Sequence, residues 1–515
     1  MGSMSFQLHL GSPRWMIGWM LIWIMLCGQQ AAATTAAYGS ITDAEFQRLH
    51  NTYRDDPTYL AQHVDDVLRA LNTSQVSAAI EQLGFDHFSY QNPVIIKGQA
   101  VSELLGHACN DIVVMAVRGG KLIPIPTQVD DLDTRGWVYI PEKDPNPVDG
   151  TFGKLDPADE IVFMYRDTGE VRYDPARHGA ISGKIVKELS FEDQVHRQRY
   201  AYLVAGAKQR SSADYVSFDI NTGKFYSTYW DFQINPKSFL NFEKMYAHVG
   251  PEQQHMVFDG FWGEISTGVF TNFPRFTFNV RDNMDMEAAG VRDGPVRVAI
   301  LGRARAKAMG IHAFSVYTQF YLYDQRISVP VQVKIPGGEI LTRIFYKPEL
   351  RIALKFNDLK GAHVGAAFSP KPNQYAVVDG EMSDFEKAIV ASKTAMTRQN
   401  NWIWMDSERG WNVFARFQFP PGWPEQLQVL YQDDAKAKPE SWMRFAGLGP
   451  TIGIIGQGFP VGKLDITVKV DIWLLDTVGR QGPAEFAQRV DKPPELKLLA
   501  YMSKAPHLAC VGAAC

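Results

Sequence analysis

Between Asp130 and Asp167 ten of 38 residues are carboxylic acids. Within that stretch Asp131, Asp133, Gly136 and Glu142 fall at nearly the spacing of a calcium loop, D-x-D-x-[DN]-G-x5-E. Two aspartates separated by one residue bring hard oxygens to one point, the glycine permits the sharp turn, and the glutamate closes bidentately. Arg135 stands where the third side-chain ligand belongs, and its cation repels calcium. Two readings stay open: a Ca2+ site on Asp131, Asp133 and Glu142, or an acidic hairpin loop paired to Arg135 or Arg166. Asp156, Asp159 and Glu160 could complete such a site or cap a strand.

A second constellation comes from strand arithmetic. Along Val296–Lys307 the even positions are mostly apolar, while Arg297, Arg303, Arg305 and Lys307 share the odd face. Along Phe314–Tyr323 the odd face carries Ser315, Tyr317, Gln319, Tyr321 and Tyr323. A turn over Ala308–Ala313 would lay both odd faces on one side of an antiparallel pair, and a one-residue slip would undo it. Guanidinium groups grip carboxylates bidentately, and tyrosine offers apolar area with a polar tip. Arg297, Arg303, Arg305, Tyr317 and Tyr321 are therefore candidates for binding an acidic sugar chain. The other reading is a wet face neutralised by Asp and Glu of neighbouring strands.

Elimination on a sugar acid needs a base for the proton beside the carboxylate and a cation for the developing enolate. Tyr246, His248 and His255 lie in the interrupted stretch KMYAHVGPEQQHMVFDGFWGE, and Arg275 or Arg303 could supply the cation. Either histidine could equally be a loop or packing residue. His248 and His255 are seven residues apart, which suits no zinc-binding helix. No haem, nucleotide or zinc motif occurs in usable context, and there is no G-x-S-x-G or H-E-x-x-H. The run GLGPTIGIIGQG at 447–458 reads as a loop within a sheet. Trp402, Trp404, Trp411, Trp423 and Trp442 could stack on sugars or fill a core.

The elements that must position these groups are short and alternating from about Pro93 onward. Strands are expected at 112–117, 121–129, 161–165, 200–204, 276–280, 296–306, 314–323, 328–335, 351–356, 411–419 and 464–474. The last is nearly ideal, with Leu464, Ile466, Val468, Val470, Ile472 and Leu474 set against Asp465, Thr467, Lys469, Asp471 and Trp473. Late helices are expected only at Ser383–Lys393 and Ala484–Val490. Residues 41–84 read as helices, with a capping box at Thr42 and Glu45 and Pro57 at a first helical position. The fold class is mainly β, an antiparallel β-sandwich with a small N-terminal helical module. The expected division is a leader at 1–37, a helical module at 38–90, a β-rich module at 91–212, a large sandwich at 213–500 and a tail at 501–515.

The leader reads as a secretory signal: Arg14, the apolar run Trp15–Cys27, then small residues to Ala33 or Ala37. The run is short for a membrane span, and Cys27 as a lipid anchor is the competing idea. Export to the periplasm or beyond leaves Cys109, Cys510 and Cys515, of which the last two could close a ring. Of 515 residues 71 are Gly or Pro, only 21% are charged, and the net charge is −4. That balance excludes coiled coils and helical arrays and makes nucleic acid a poor partner.

The segments PIPTQVDDLD and LDPADEIVFMYRDTG resemble the amino-terminal module of certain secreted bacterial proteins. The matching residues are Gln128, Val129, Asp130, Asp131, Asp133 and Gly136, then Asp159, Glu160, Ile161, Val162 and Phe163, with Trp137–Lys154 inserted between them. The direct match covers about 60 residues, and GPVRV at 294–298 is similar in texture. Some of these proteins carry a β-sandwich similar to the galactose-mutarotase-like supersandwich of polysaccharide lyases. The resemblance implies a carbohydrate or envelope setting and, for an enzyme, lyase-like elimination on a uronic-acid polymer. The alternative is a non-catalytic envelope scaffold, docking a protein partner through its helical module.

Overall fold

Apolar and polar side chains alternate along most of the chain, and the sheets follow from it. In the strand Asp465–Leu475, Val468, Val470, Ile472 and Leu474 turn into the core while Lys469, Asp471 and Trp473 lie on the opposite face. The computed structural model describes Phe88, Ser89 and residues 92–501, except 228, 236–237, 248–253, 256–257, 280–283, 309–310, 335–344, 357, 368–373, 393–395, 399, 420–425, 439–447, 458–464, 476–477, 479–481 and 491. The leader, the helices expected at 41–84, His248, Trp423, Trp442, Cys510 and Cys515 lie outside the described residues.

Two large antiparallel sheets form the main sandwich. A nine-stranded sheet runs in the order 284–292, 298–308, 311–322, 326–334, 465–475, 412–418, 402–406, 363–366 and 376–377. An eleven-stranded sheet is built on the path 396–397, 426–432, 451–457, 345–356, 258–269, 238–247, 230–235, 224–227 and 216–219, with two further strands at its side. Their inner faces share one core, in which Phe225, Trp230, Phe356 and Ile454 of one sheet meet Ile300, Phe320, Phe417 and Ile472 of the other. A void of about 10 Å³ in that core is lined by apolar side chains alone, among them Leu354, Met405 and Ile452. It offers nothing to a polar ligand.

A smaller sandwich precedes it. The three-stranded sheet of Pro93–Lys97, Glu160–Met164 and Gln128–Asp130 packs on a five-stranded sheet of 495–500, 184–192, 198–205, 112–118 and 121–124. Its central strand is apolar on both faces. Ile161 and Phe163 enter the small core, while Val162 and Met164 pack on Val296 and Tyr323 of the large sandwich.

The other expected strands are present, but 121–129 is not one strand: Lys121–Pro124 joins the five-stranded sheet and Gln128–Asp130 the three-stranded one. Pro124 and Pro126 offer no N–H to carry one ladder through. The late helices form at Asp384–Ala391 and Pro483–Arg489, the first with Ser383 and Glu386 in a capping box. A second expectation is corrected. Residues Thr451–Gln457 form an interior strand rather than a loop. Gly453 is needed there because the carbonyl of Ile352 would lie 2.0 Å from an added Cβ. A glycine that marks close backbone approach has the same letter as one that marks a turn.

Candidate functional site

The pairing that the cationic face requires is present: Arg303 lies opposite Tyr317, Arg305 opposite Ser315 and Ala299 opposite Tyr321. The surface itself is not the open one expected. Arg297 is only 2% exposed, and its guanidinium reaches Asp130 at 2.7 Å, Glu160 at 2.6 Å and the Tyr323 hydroxyl at 3.2 Å. Gln128 donates to both oxygens of Asp130 at 2.9 Å and accepts from the Arg297 backbone N–H at 3.1 Å. Lys97 reaches Glu160 at 2.8 Å. Burial opposes charge on Glu160, but Arg297 and Lys97 outweigh it and hold the carboxyl below the usual range.

The Tyr321 hydroxyl accepts from the Val138 N–H at 3.3 Å, and Gln319 bonds Val138 through both its amide atoms. Leu301 packs on Trp137 and Ile140, with Tyr317 alongside. Arg297 and Tyr321 thus join the small sandwich to the large one. Arg303 and Arg305 share Glu287 from the neighbouring strand, Arg305 at 3.2 Å. Of the basic stretch, Arg297 alone among these three arginines meets the acidic stretch, and Glu287 takes the other two.

Within the acidic loop, Asp133 accepts from the Arg135 backbone at 2.7 Å, from Arg135 Nε at 2.6 Å and from Trp137 N–H at 3.0 Å. The same guanidinium reaches Asp144 at 2.7 Å. Asp131 accepts from Gly153 N–H at 2.6 Å, and Glu142 is exposed with φ of 62°. Asp159 accepts from the N–H groups of Leu132 and Asp156 at 2.9 and 2.7 Å. Burial pushes its carboxyl up to about 6. Among the described residues no group of three or more His, Cys, Asp or Glu is disposed to hold a metal ion. Cys109 is buried, and burial pushes its thiol up to about 12.

Tyr246 and His255 face one another across a short antiparallel pair. Arg275 is opposite Gly268 on the strand Phe258–Val269, whereas Asn241 of the Tyr246 strand is opposite Gly260. Eight residues of strand separate those positions, about 26 Å at the usual rise, and Arg303 belongs to the other large sheet. Tyr246 and His255 are therefore not gathered with Arg275, and the Arg303 guanidinium is engaged by Glu287 of its own sheet. Trp402, Trp404 and Trp411 are buried and present no stacking platform.

An accessible polar strip does exist, on the outer face of the nine-stranded sheet. Asp471, fully buried, accepts from Arg326 at 2.7 Å and from Gln418 at 3.0 Å, with Lys469 Nζ at 3.3 Å. Ser328 and Arg416 are its cross-strand neighbours. On one side Trp402, Trp404, Phe414 and Trp473 lie under Phe486 of the helix Pro483–Arg489 and under Phe88. On the other side lies the covered ground around Tyr321 and Leu301. Between the two covers, Gln418 is exposed, Arg416 half-buried, and the Lys469 side chain 35% exposed.

No family model matches the chain, and no curated protein matches it. Solved structures do. They include an alpha-mannosidase from Enterococcus faecalis V583, at 10% identity over 64% of this chain and 40% of that one, with a TM-score of 0.35. An alpha-N-acetylgalactosaminidase, NagBb, from Bifidobacterium bifidum matches at 11% identity over 49% and 36%, TM-score 0.30. The Slr1438 protein from Synechocystis sp. PCC 6803 matches at 9% identity over 51% and 95%, TM-score 0.30. The chain spans less than half the length of the first two.

Chemically the strip presents three cationic side chains, Arg326, Arg416 and Lys469, around one buried carboxylate. Burial opposes ionisation of Asp471, but Arg326 and Lys469 prevail and hold it below the usual range. Burial also pulls Lys469 down, and Arg326 adds to that while Asp471 works against it. The guanidinium of Arg326 sits 5.0 Å from the ring centre of Trp473. The alternation of 464–474 already put Lys469, Asp471 and Trp473 on one face. Arg326 and Arg416 escaped notice because the strands that carry them become neighbours of 465–475 only through long-range pairing.

Proposed function

We propose that the chain is an exported carbohydrate-binding protein and that the strip at Arg326, Arg416, Gln418 and Lys469 receives the carboxylates of an acidic polysaccharide. The observation that carries this reading is the convergence of Arg326, Gln418 and Lys469 on Asp471, with Arg416 opposite it, across adjacent strands of an accessible sheet face. Neighbouring strands are about 4.8 Å apart, so charged groups spread across three of them suit a repeating anion better than a single small one. Planar guanidinium groups add bidentate geometry to the attraction. The leader supports an envelope setting.

Affinity for a polyuronate, measured by calorimetry against a neutral glucan, tests it. Arg416→Ala and Lys469→Met should each weaken polyuronate binding about tenfold, since a hydrogen bond to a charged group contributes roughly 1.5–3 kcal/mol. Unchanged affinity in both variants would sink the reading.

A lyase activity is the finer form of the same proposal, and the depressed Lys469 ammonium favours it. Lysine whose proton is loosened by burial can take the proton beside the carboxylate while a guanidinium neutralises that carboxylate. The C–O bond to the departing sugar then breaks to leave the double bond, and the lysine returns the proton to the departing oxygen. Lys469→Arg keeps the charge but not the easily lost proton. It should retain binding and abolish formation of the unsaturated, ultraviolet-absorbing product.

A further inference from the structure

Exposed aromatic side chains gather at one strand tip. Phe270, Phe273, Phe276 and Tyr346 are 71%, 85%, 47% and 40% exposed, a concentration of bare aromatic surface that a water-facing loop has no reason to keep. They belong together because three strands meet there. Gly268 pairs with Arg275 on one side and with Tyr346 on the other.

The tip is rigid. Arg275 donates to Asn272 Oδ1 at 2.9 Å, to Ser266 Oγ at 2.9 Å and to the Lys347 carbonyl at 3.1 Å, tying the hairpin to the neighbouring strand. Phe270 and Lys347 have φ of 57° and 45°. Side chains other than glycine hold that conformation at a cost, and such strain gathers where a surface is being shaped for use. No Asp or Glu occurs from Ile265 to Val280 or from Ile340 to Pro348, while Arg275 and Lys347 supply positive charge.

We propose that this tip is an interfacial anchor that seats on a bilayer carrying anionic headgroups. Phenyl rings without polar atoms enter the acyl boundary, tyrosine sits at headgroup level, and cations meet anionic lipid. A sugar would need hydrogen-bonding partners around the rings. Here the Arg275 donors are engaged by Asn272, Ser266 and Lys347, and the Thr271 hydroxyl bonds the Phe273 carbonyl.

The test is co-sedimentation of residues 38–515, the chain without its expected leader, with vesicles of phosphatidylcholine containing one third phosphatidylglycerol. The parent should bind, and the double variant Phe270→Asn, Phe273→Ser should partition at least tenfold less. Asparagine tolerates positive φ, so the variant's melting temperature should hold or rise, which separates lost anchoring from lost folding. A parent that stays in the supernatant, or a folded variant that binds as well as the parent, overturns the proposal. So does loss of polyuronate affinity, rather than vesicle affinity, in the variant.

Discussion

Arg297 sits between Asp130 and Glu160 with almost no access to water. Removing it would strand two carboxylates, and breaking a buried pair costs about 3–5 kcal/mol. Arg297→Met is expected to lower stability by that order in urea denaturation, and Arg297→Met with Asp130→Asn should recover part of it. Strand alternation placed Arg297 on the correct face, but nothing local in sequence could show that the acidic module covers that face. Asp159 and Asp433 have carboxyls pushed up to about 6, in each case first by burial. Their folded forms bind protons that the unfolded chain, near 3.9, releases. Stability should therefore rise as pH falls from about 7.5 to about 5, and a falling urea midpoint over that window would count against it. Whether calcium enters the acidic loop is decided by chelation. With Arg135 between Asp133 and Asp144, a chelator is expected to leave the melting temperature unchanged, and a fall would put the ion in the loop.

At the scale of elements, periodicity was a good guide wherever the two faces of a strand differ in polarity. Asp465–Leu475 and Ile311–Leu322 were legible for that reason. The helix Asp384–Ala391 was expected within Ser383–Lys393; the structure adds its capping box at Ser383 and Glu386, and Ser383→Ala should cost about 1 kcal/mol. The reading failed for Thr451–Gln457, where glycines serve strand packing. Gly453→Ala forces a methyl onto the Ile352 carbonyl, so the strands must part. A loss of about 1–3 kcal/mol is expected, measurable as a lower melting temperature. The polar strip shows the same limit from the other side. Each strand displayed its polar residues, but their convergence depends on the sheet order.

For the whole molecule, residues 491–501 are more than a route to the chain's end. Glu495–Ala500 pairs along Lys184–Glu192, and Leu496 and Leu498 pack on the small core. Truncation after Val490 should destabilise the small sandwich and raise its susceptibility to protease, whereas truncation after Tyr501 should leave both unchanged. The strand Asp465–Leu475 likewise separates Arg326–Lys334 from Asn412–Gln418 in the middle of its sheet. These two late strands have a consequence for biogenesis. The large sandwich cannot complete its hydrogen-bond ladder before residues 465–475 are made, nor the small one before residues 495–500. Sheets with such distant partners also fold slowly. If the proposed export holds and the chain threads a translocation channel unfolded, this order keeps it open, because the pieces that lock it arrive last.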